Sequence, residues 1–332
     1  MSAVLAGQTR RNPLRVLLRW EWLLALAVAA DFALNAVASP YFLDPWTLSD
    51  ATFNFTEKAI VALPMALLII AGEIDISVAG IIALASVMMG LVAERGAGTP
   101  LVVAAGLATG LLAGCANGAL VTLFRVPSIV ATIGTMSLFR GIAYAILGDR
   151  VLKSYAPGFA FFGQGYVLGP VSFELALFAV LAVAAGVVLH GTAAGRRIYA
   201  IGNNALAARL CGIRVEGYRF WLFAVTGLAS GVASVLLTSR LGSTRPSIAQ
   251  GMELEIITMA ILGGVSVAGG SGSIVGVVLA AVLMGLVTFG LSLLNVPGIV
   301  MSIVTGGLLI LVVAVPALFR VLSGRRGMAA RG

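Results

Sequence analysis

Apolar residues in this chain occur in long continuous runs, and most runs are about as long as a membrane-crossing helix. A helix needs about 20 apolar residues to cross a bilayer, and lipid tolerates only helices or closed barrels. A barrel would show apolar and polar residues in alternation. The pattern therefore predicts an all-α, polytopic bundle of about ten transmembrane or partly re-entrant helices. The predicted segments are 22–38, 58–72, 76–93, 101–123, 127–147, 173–189, 219–239, 254–264, 273–294 and 298–319.

Two of these segments, 58–72 and 254–264, are short for a full crossing. Both end in Gly-rich or polar turns. Such segments are typical of broken or half-crossing helices, whose exposed backbone is tolerated where protein surrounds it.

The composition agrees with a membrane protein. Hydrophobic residues make up 60% of the chain and charged residues 10%, whereas soluble domains have about 25% charged residues. The 41 glycines suit membrane helices, because small residues let backbones pack closely. Cys115, Cys211 and the single histidine lie far apart in sequence, so we expect no disulfide and no metal site.

The net charge of +8 predicts an orientation in the membrane and not nucleic-acid binding, because the arginines lie beside apolar runs. Arginines concentrate in the tail 1–20, in the loop 190–219 and in the tail 321–332. By the positive-inside rule, these three segments are cytoplasmic and flank or interrupt a transmembrane domain at 21–320. The Gly- and aromatic-rich loop 148–172 then lies outside, as an interfacial aromatic belt or as a docking surface.

The stretch "AIGNNALAARLCGI" at 200–213 predicts a short helix inside the cytoplasmic loop. Asn203 or Asn204 is a good N-cap, residues 205–210 are strong helix formers, and Gly212 suits the position after the helix. The predicted helix has fewer than two turns, so it does not cross the membrane.

Leu206 and Leu210 share one face of this short helix, which would be marginal alone in water. Two interpretations remain open on periodicity alone. The helix rests on the membrane with its arginines against anionic lipid, or it inserts into a cytoplasmic partner and passes motion to the transmembrane helices.

Polar side chains within or beside apolar runs are candidates for a substrate pathway, since charges are costly inside a membrane. These candidates are Glu73, Asp75, Asn117, Thr132, Thr135 and Arg140. Glu73 and Asp75 lie in a Gly-containing break, where they cap the next helix, line the pathway, or both. Arg140 either reaches the outer interface or pairs with an acid inside the bundle. The amide of Asn117 and the hydroxyls of Thr132 and Thr135 either bind a sugar or join helices by hydrogen bonds. For Asp31, in the first segment, we expect a contact between helices.

Four sequence blocks resemble the inner-membrane permeases of bacterial sugar ABC importers of the ribose/xylose type. "GRRIYAIGNNALAARLCGIRV" at 195–215 is similar to their cytoplasmic coupling segment. "AGEIDISVAG" at 71–80 resembles their Gly-x-Ile-Asp-Leu-Ser-Val-Gly signature, and 117–144 and 251–276 match two further blocks. The blocks follow the order of the family and span roughly 50–315.

This chain departs from the resemblance at two positions of the signature. Glu73 and Ala79 stand where many members of the family have glycine. Of the two, Glu73 is also a pathway candidate.

The resemblance implies a permease subunit in the bacterial inner membrane, with no catalytic residue, cofactor or metal of its own. It implies a second permease subunit, a tandem-domain ABC ATPase below and a periplasmic sugar-binding protein above, besides membrane lipids. Lys58 and Lys153 are the only lysines, and neither ends a G-x-x-x-x-G-K-[ST] phosphate loop, so ATP would be bound by the partner. The residues that would contact the ATPase are Gly202, Asn204, Ala205, Leu206, Ala208, Leu210 and Gly212.

Within that family, three stretches at 39–77, 159–166 and 239–249 are most similar to permeases of L-rhamnose importers. This likeness implies transport of L-rhamnose or a related deoxy sugar by two different permeases. Permeases for autoinducer 2 or for ribose and xylose are the alternatives within the same family.

Two other classes of protein compete with an ABC permease. An ion-coupled secondary transporter would use Asp31, Glu73 and Asp75 for coupling, and its uptake would collapse with the proton gradient. An intramembrane serine protease would need a base for Ser271. His190 lies at the edge of the cytoplasmic loop, so the glycines around Ser271 are better explained as a turn.

Overall fold

The structure, a computed structural model, describes residues 20–298 and, beyond them, 300, 301, 303, 304, 306, 307 and 310. The helices of this part of the chain are α1 (Trp20–Ala38), α2 (Pro45–Phe53), α3 (Thr56–Ile70), α4 (Val78–Glu94), α5 (Thr99–Thr122), α6 (Ser128–Leu147), α7 (Phe161–Gln164), α8 (Phe173–Gly186), α9 (Ala193–Asn203), α10 (Ala205–Leu210), α11 (Val215–Leu241), α12 (Met252–Leu262) and α13 (Ile274–Leu293). A π-helical turn, Val187–Gly191, extends α8.

The predicted all-α membrane bundle is confirmed. Nine of the predicted segments coincide with helices of the structure, within a few residues at each end. Within the described residues, six helices are long and apolar enough to cross a membrane, or seven if α2 and α3 are counted as one bent crossing. The tenth predicted segment, 298–319, lies mostly outside the described residues.

The two segments predicted to be short are short in the structure. Helix α12 has 11 residues, so it is about 16 Å long against a hydrocarbon core of about 30 Å. Helix α3 has 15 residues and meets α2 at an angle of 51°. Neither α12 nor α3 crosses a bilayer by itself.

Helix α2 was missed by the hydrophobic pattern because its sequence, PWTLSDATF, is largely polar or small. A local signal was nevertheless present. The Asp44 carboxylate accepts hydrogen bonds from the backbone N–H of Trp46, at 3.1 Å, and of Thr47, at 3.0 Å. Pro45 follows the cap, which is the position in the first turn that proline favours.

Helices α3 and α11 form the centre of the bundle. Every residue of α3 except Lys58 is buried, as expected of a helix surrounded by protein. Helix α11 packs on α3, α4 and α5. Where α11 crosses α5, a Cβ on Gly110 would lie 2.5 Å from the carbonyl oxygen of Gly227, so only glycine permits this approach.

The two ends of the bundle differ in architecture. We name the two ends by the predicted orientation: the outer end holds α2 and residues 148–172, and the inner end holds α9 and α10. The loop 148–172 folds into a 3₁₀ turn, the short helix α7 and a hairpin of β1 (Tyr166–Leu168) and β2 (Val171–Ser172).

Aromatic side chains fasten this loop to the bundle. The ring of Tyr166 lies 5.2 Å from that of Trp46 on α2, edge to face. The rings of Tyr155 and Phe159 stack at 4.6 Å. These contacts hold the loop against the bundle, and both interpretations of it, an interfacial aromatic belt and a docking surface, stay predictions.

Candidate functional site

The predicted short helix at 205–210 is present as α10, and its cap is Asn204. The Asn204 Oδ1 atom accepts a hydrogen bond from the backbone N–H of Ala207 at 2.9 Å. Gly212 follows the helix with a φ of +81°, a conformation that favours glycine. Since a six-residue helix is marginal alone, α10 depends on its neighbours for stability.

The two faces of α10 differ. Ala208 is 5% exposed and faces the bundle, and Ala205 is half-buried. Leu206 is 63% exposed and Leu210 is 82% exposed. This pair of exposed leucines, called the leucine knob below, is an apolar surface at the inner end that no described residue covers.

Glycine at position 202 lets the segment before α10 touch the end of α3. A Cβ on Gly202 would overlap the carbonyl oxygen of Ile70, the last residue of α3. The backbone N–H of Gly270 donates a hydrogen bond to the same oxygen at 2.9 Å. Three elements therefore meet at one point: α3, the end of α9 and the loop 263–273.

Side chains of α9 add two hydrogen bonds to that loop. The Asn203 amide donates to the carbonyl oxygen of Gly270 at 3.0 Å. The Tyr199 hydroxyl donates to the carbonyl oxygen of Gly272 at 2.6 Å, and burial raises the pKa of this phenol. Of the two candidate caps, Asn204 caps α10 and Asn203 bridges to the loop.

An ion pair joins the break at 71–77 to the segment after α10. The Glu73 carboxylate lies 3.0 Å from Arg219 Nε, and the glutamate is only 8% exposed. Arg219 lies in the first two turns of α11, close behind α10 in sequence. A cavity of about 650 Å³ opens beside this pair, and Arg125, Arg209 and Glu216 also line it.

Asp75, Ser77 and Asn117 form one buried cluster, called the Asp75 cluster below, at the start of α4. All three residues have zero exposure. Asp75 Oδ1 accepts hydrogen bonds from the backbone N–H of Ser77 at 2.8 Å and from its hydroxyl at 2.6 Å. The Asn117 amide donates to Ser77 Oγ at 2.7 Å and to Asp75 Oδ2 at 3.4 Å. The Asn117 Oδ1 atom is buried without a hydrogen-bond partner in the described part of the chain.

Helix α6 holds the same break from the other side. The Thr132 hydroxyl donates to the carbonyl oxygens of Ser128, at 2.8 Å, and Ile74, at 3.5 Å. The Ile74 N–H donates to Ser128 Oγ at 3.5 Å. The Thr135 hydroxyl instead bonds to the Thr132 carbonyl within α6, at 3.3 Å. The structure thus gathers Glu73, Asp75, Asn117 and Thr132 at one break, with Thr135 one turn away.

Arg140 forms no ion pair among the described residues, so its predicted pairing with an acid inside the bundle was wrong, whereas its reach to the outer interface stays a prediction. Its guanidinium donates to the carbonyl oxygens of Pro246 at 3.0 Å, Ile248 at 3.2 Å and Ala79 at 3.3 Å. A guanidinium has five N–H donors, and backbone carbonyls at helix and loop ends satisfy them as well as an acid does. Arg140 therefore joins α6 to the start of α4 and to the loop before α12.

A second cluster of buried charged residues, called the Glu57 cluster below, lies at the outer end, and the sequence pattern did not predict it. Arg240 donates two hydrogen bonds to Glu57, at 2.8 and 2.9 Å, and Glu57 is 2% exposed. Glu174, with zero exposure, accepts from the Thr56 hydroxyl at 2.8 Å, while its Oε1 atom has no partner among the described residues.

Glu255 lies in a separate ion pair. Arg240 forms its ion pair with Glu57, whereas Glu255 forms an ion pair with Lys58 at 2.5 Å. The partners come from helices far apart in sequence, so spacing alone gave no signal for either pair.

We expect Asp75→Ala to reduce function more than Asp31→Ala. The first change leaves the donors of Ser77 and Asn117 unsatisfied in a buried site, at a cost of about 1–3 kcal/mol each. Asp31 accepts one bond from Asn35, at 3.3 Å, and Asn35 also donates to Leu286, as expected of a contact between helices.

The measurement is uptake per amount of protein in the membrane for both variants. Asp75→Asn is the matched control, because it keeps an oxygen that accepts from Ser77 while removing the charge. Equal uptake by Asp75→Ala and Asp31→Ala would contradict a special role of the break.

Comparison with known proteins identifies one family. The family model described as branched-chain amino acid transport system / permease component matches residues 48–313. The autoinducer 2 import system permease protein LsrD of Enterobacter sp. (strain 638) is 34% identical over 302 residues, 89% of this chain and 92% of that protein. The proteins of the same name from Klebsiella pneumoniae subsp. pneumoniae and Escherichia coli (strain K12) are 34% and 35% identical, each over 90% of this chain and 92% of its own. No solved structure is significantly similar to this chain.

Proposed function

This chain belongs to the family of branched-chain amino acid transport system permease components, and we propose that it is the membrane subunit of an ATP-driven importer for a small sugar-like molecule. It is a multi-pass protein of the bacterial inner membrane and a transport subunit by family. The observation that most supports ATP-driven import is the leucine knob, since it presents uncovered apolar side chains on a helix bound tightly to the transmembrane core.

A tandem-domain ABC ATPase would bind at α10. Its apolar contact would be the leucine knob, while the arginines beside the 650 Å³ cavity would meet acidic groups at the rim. Uncovered apolar side chains mark surfaces that bind a protein or a membrane, and charged rims set orientation. The other predicted coupling residues, Gly202, Asn204 and Gly212, would hold α10 in shape rather than touch the ATPase.

Two routes would pass the motion of α10 to the membrane helices. The first runs through Gly202 and Asn203 to the loop 263–273 and the end of α3. The second runs from Arg219 through Glu73 to the break that holds the Asp75 cluster. Both routes end at helices that are buried in the bundle, so a displacement of α10 would displace that break relative to α3.

The substrate would be small, neutral and rich in hydroxyl groups. The Asp75 cluster offers a carboxylate, a hydroxyl and an amide. The oxygen of that amide, Asn117 Oδ1, has no hydrogen-bond partner among the described residues. Such groups suit exchangeable hydrogen bonds with a sugar, and no fixed counter-charge is needed. Autoinducer 2 is the first candidate, because three relatives covering about nine-tenths of the chain are named as its permeases.

L-rhamnose, or a related deoxy sugar, is the second candidate. Of the three stretches behind that likeness, the first part of 39–77 meets 159–166 and 239–249 at the outer end of the fold. There the Gly163 N–H donates to Ser239 Oγ at 2.8 Å, and Tyr166 packs on Trp46. This surface would receive the periplasmic sugar-binding protein, and a second, different permease subunit would complete the pathway.

Affinity purification from native membranes in mild detergent tests the proposal. We expect a two-domain ATPase and a second permease to co-purify, and ATP to support uptake when the proton gradient is collapsed by an uncoupler. Autoinducer 2 and L-rhamnose are then compared by titration of the cognate periplasmic binding protein. A chain that stays alone after cross-linking, with uptake lost on uncoupling, would instead indicate an ion-coupled transporter using Asp31, Glu73 or Asp75.

A further inference from the structure

An apolar groove of about 420 Å³ runs between α3, α8 and α11, beginning at α9. Helix α3 contributes Leu63 and Leu67, and α8 contributes Leu181 and Val188. Helix α11 contributes a stripe from Tyr218 to Val232, which is about 21 Å long. The groove therefore extends beyond half the hydrocarbon thickness, about 15 Å, that one leaflet occupies.

The mouth of the groove, at the inner end, is aromatic and basic. Tyr218 and Trp221 line it, and Trp221 is 64% exposed. Arg197 donates to the Tyr218 hydroxyl at 2.8 Å. Arg214 caps α11 one turn before Tyr218, and Arg196 precedes Arg197 on α9. Aromatic rings with arginines beside them are typical of the level of lipid headgroups.

Arg197 lies at this mouth, and the loop that contains it carries arginines whose charge the protein does not balance. The loop 190–219 has five arginines and one glutamate. Arg209 pairs with that glutamate and Arg219 pairs with Glu73. Arg196, Arg197 and Arg214 are exposed, and within the described residues none of the three has an acidic side chain within ion-pair distance.

We propose that this groove binds one acyl chain of an anionic phospholipid, whose phosphate lies against Arg196, Arg197 and Arg214. The apolar stripe matches a lipid tail, and the unbalanced arginines match a net negative headgroup, which a zwitterionic lipid lacks. Each arginine at a membrane surface contributes about 1 kcal/mol towards anionic lipid, about a five-fold change in affinity. The site is separate from the leucine knob and does not depend on which substrate is carried.

Native mass spectrometry of the purified full chain tests the site, with phosphatidylglycerol and phosphatidylcholine titrated separately. We expect tighter binding of phosphatidylglycerol, and a loss of about five-fold per arginine for the variant Arg196→Gln with Arg197→Gln. Ala229→Trp, which fills the groove from α11, should weaken both lipids. Arg150→Gln and Val180→Trp are matched controls, because both positions are exposed and lie outside the groove.

Two results would overturn the proposal. Equal affinity of the wild-type chain for both lipids would show that the arginines select no headgroup. If Ala229→Trp released a co-expressed second permease while phosphatidylglycerol bound as before, the groove would be a subunit interface.

Discussion

Uptake is expected to fall about 30-fold when Leu206 and Leu210 are both replaced by glutamate, with the amount of protein in the membrane unchanged. An anchor of a protein interface contributes about 2 kcal/mol or more, which corresponds to this factor. Both side chains are more than 60% exposed, so their loss removes little packing inside the bundle. The double substitution should therefore weaken binding of the ATPase and leave folding unchanged.

The measurements are uptake and co-purification of the ATPase with the double variant. Leu168→Glu is the matched control, since Leu168 is 77% exposed at the outer end, on β1. Ala208→Glu is less informative, because Ala208 is buried and a charge there would disturb α10 itself. Normal uptake and normal co-purification of the ATPase with the double variant would disprove the role of the leucine knob.

Arg240→Met is expected to destabilise the protein by about 3–5 kcal/mol, the usual cost of removing one partner of a buried ion pair. The change leaves Glu57, which is 2% exposed, without its cation, beside a second buried carboxylate, Glu174. Methionine keeps most of the length of the side chain, so the loss is mainly electrostatic. Thermal or denaturant unfolding in detergent measures it.

Arg150→Met is the matched control, because its pair with Glu94 is exposed and contributes about 0–1 kcal/mol. A second variant, Arg240→Met with Glu57→Gln, removes the uncompensated charge and should recover part of the stability. If Arg240→Met and Arg150→Met unfold alike, the Glu57 cluster does not stabilise the outer end.

Local signals explain why some of the site was predictable. A cap bonds to a backbone N–H two or three residues away, so Asn204 and α10 could be read from a short stretch. The same holds for Asp75, whose bonds to Ser77 span two residues. Helix α2 had an equally local signal, Asp44 followed by proline, but its few apolar residues hid it from a search for membrane segments.

Partners distant in sequence were not predictable. Arg240 lies 183 residues from Glu57, and Arg140 lies 106 residues from Pro246. Each basic side chain had several possible acids, and only the order in which helices pack decides which one is near. The predicted pairing of Arg140 with an acid failed for this reason.

The sequence by itself determined the class and the family of this protein and most of its long apolar helices. Lipid forces every backbone polar group to bond within its own helix, so the length of each apolar run is sufficient to predict a crossing. The tertiary structure alone decided that Gly202, Asn203 and Glu73 join α10 to the break at 71–77. It also decided that Glu57 meets Arg240, because such contacts depend on which helices become neighbours when the chain packs.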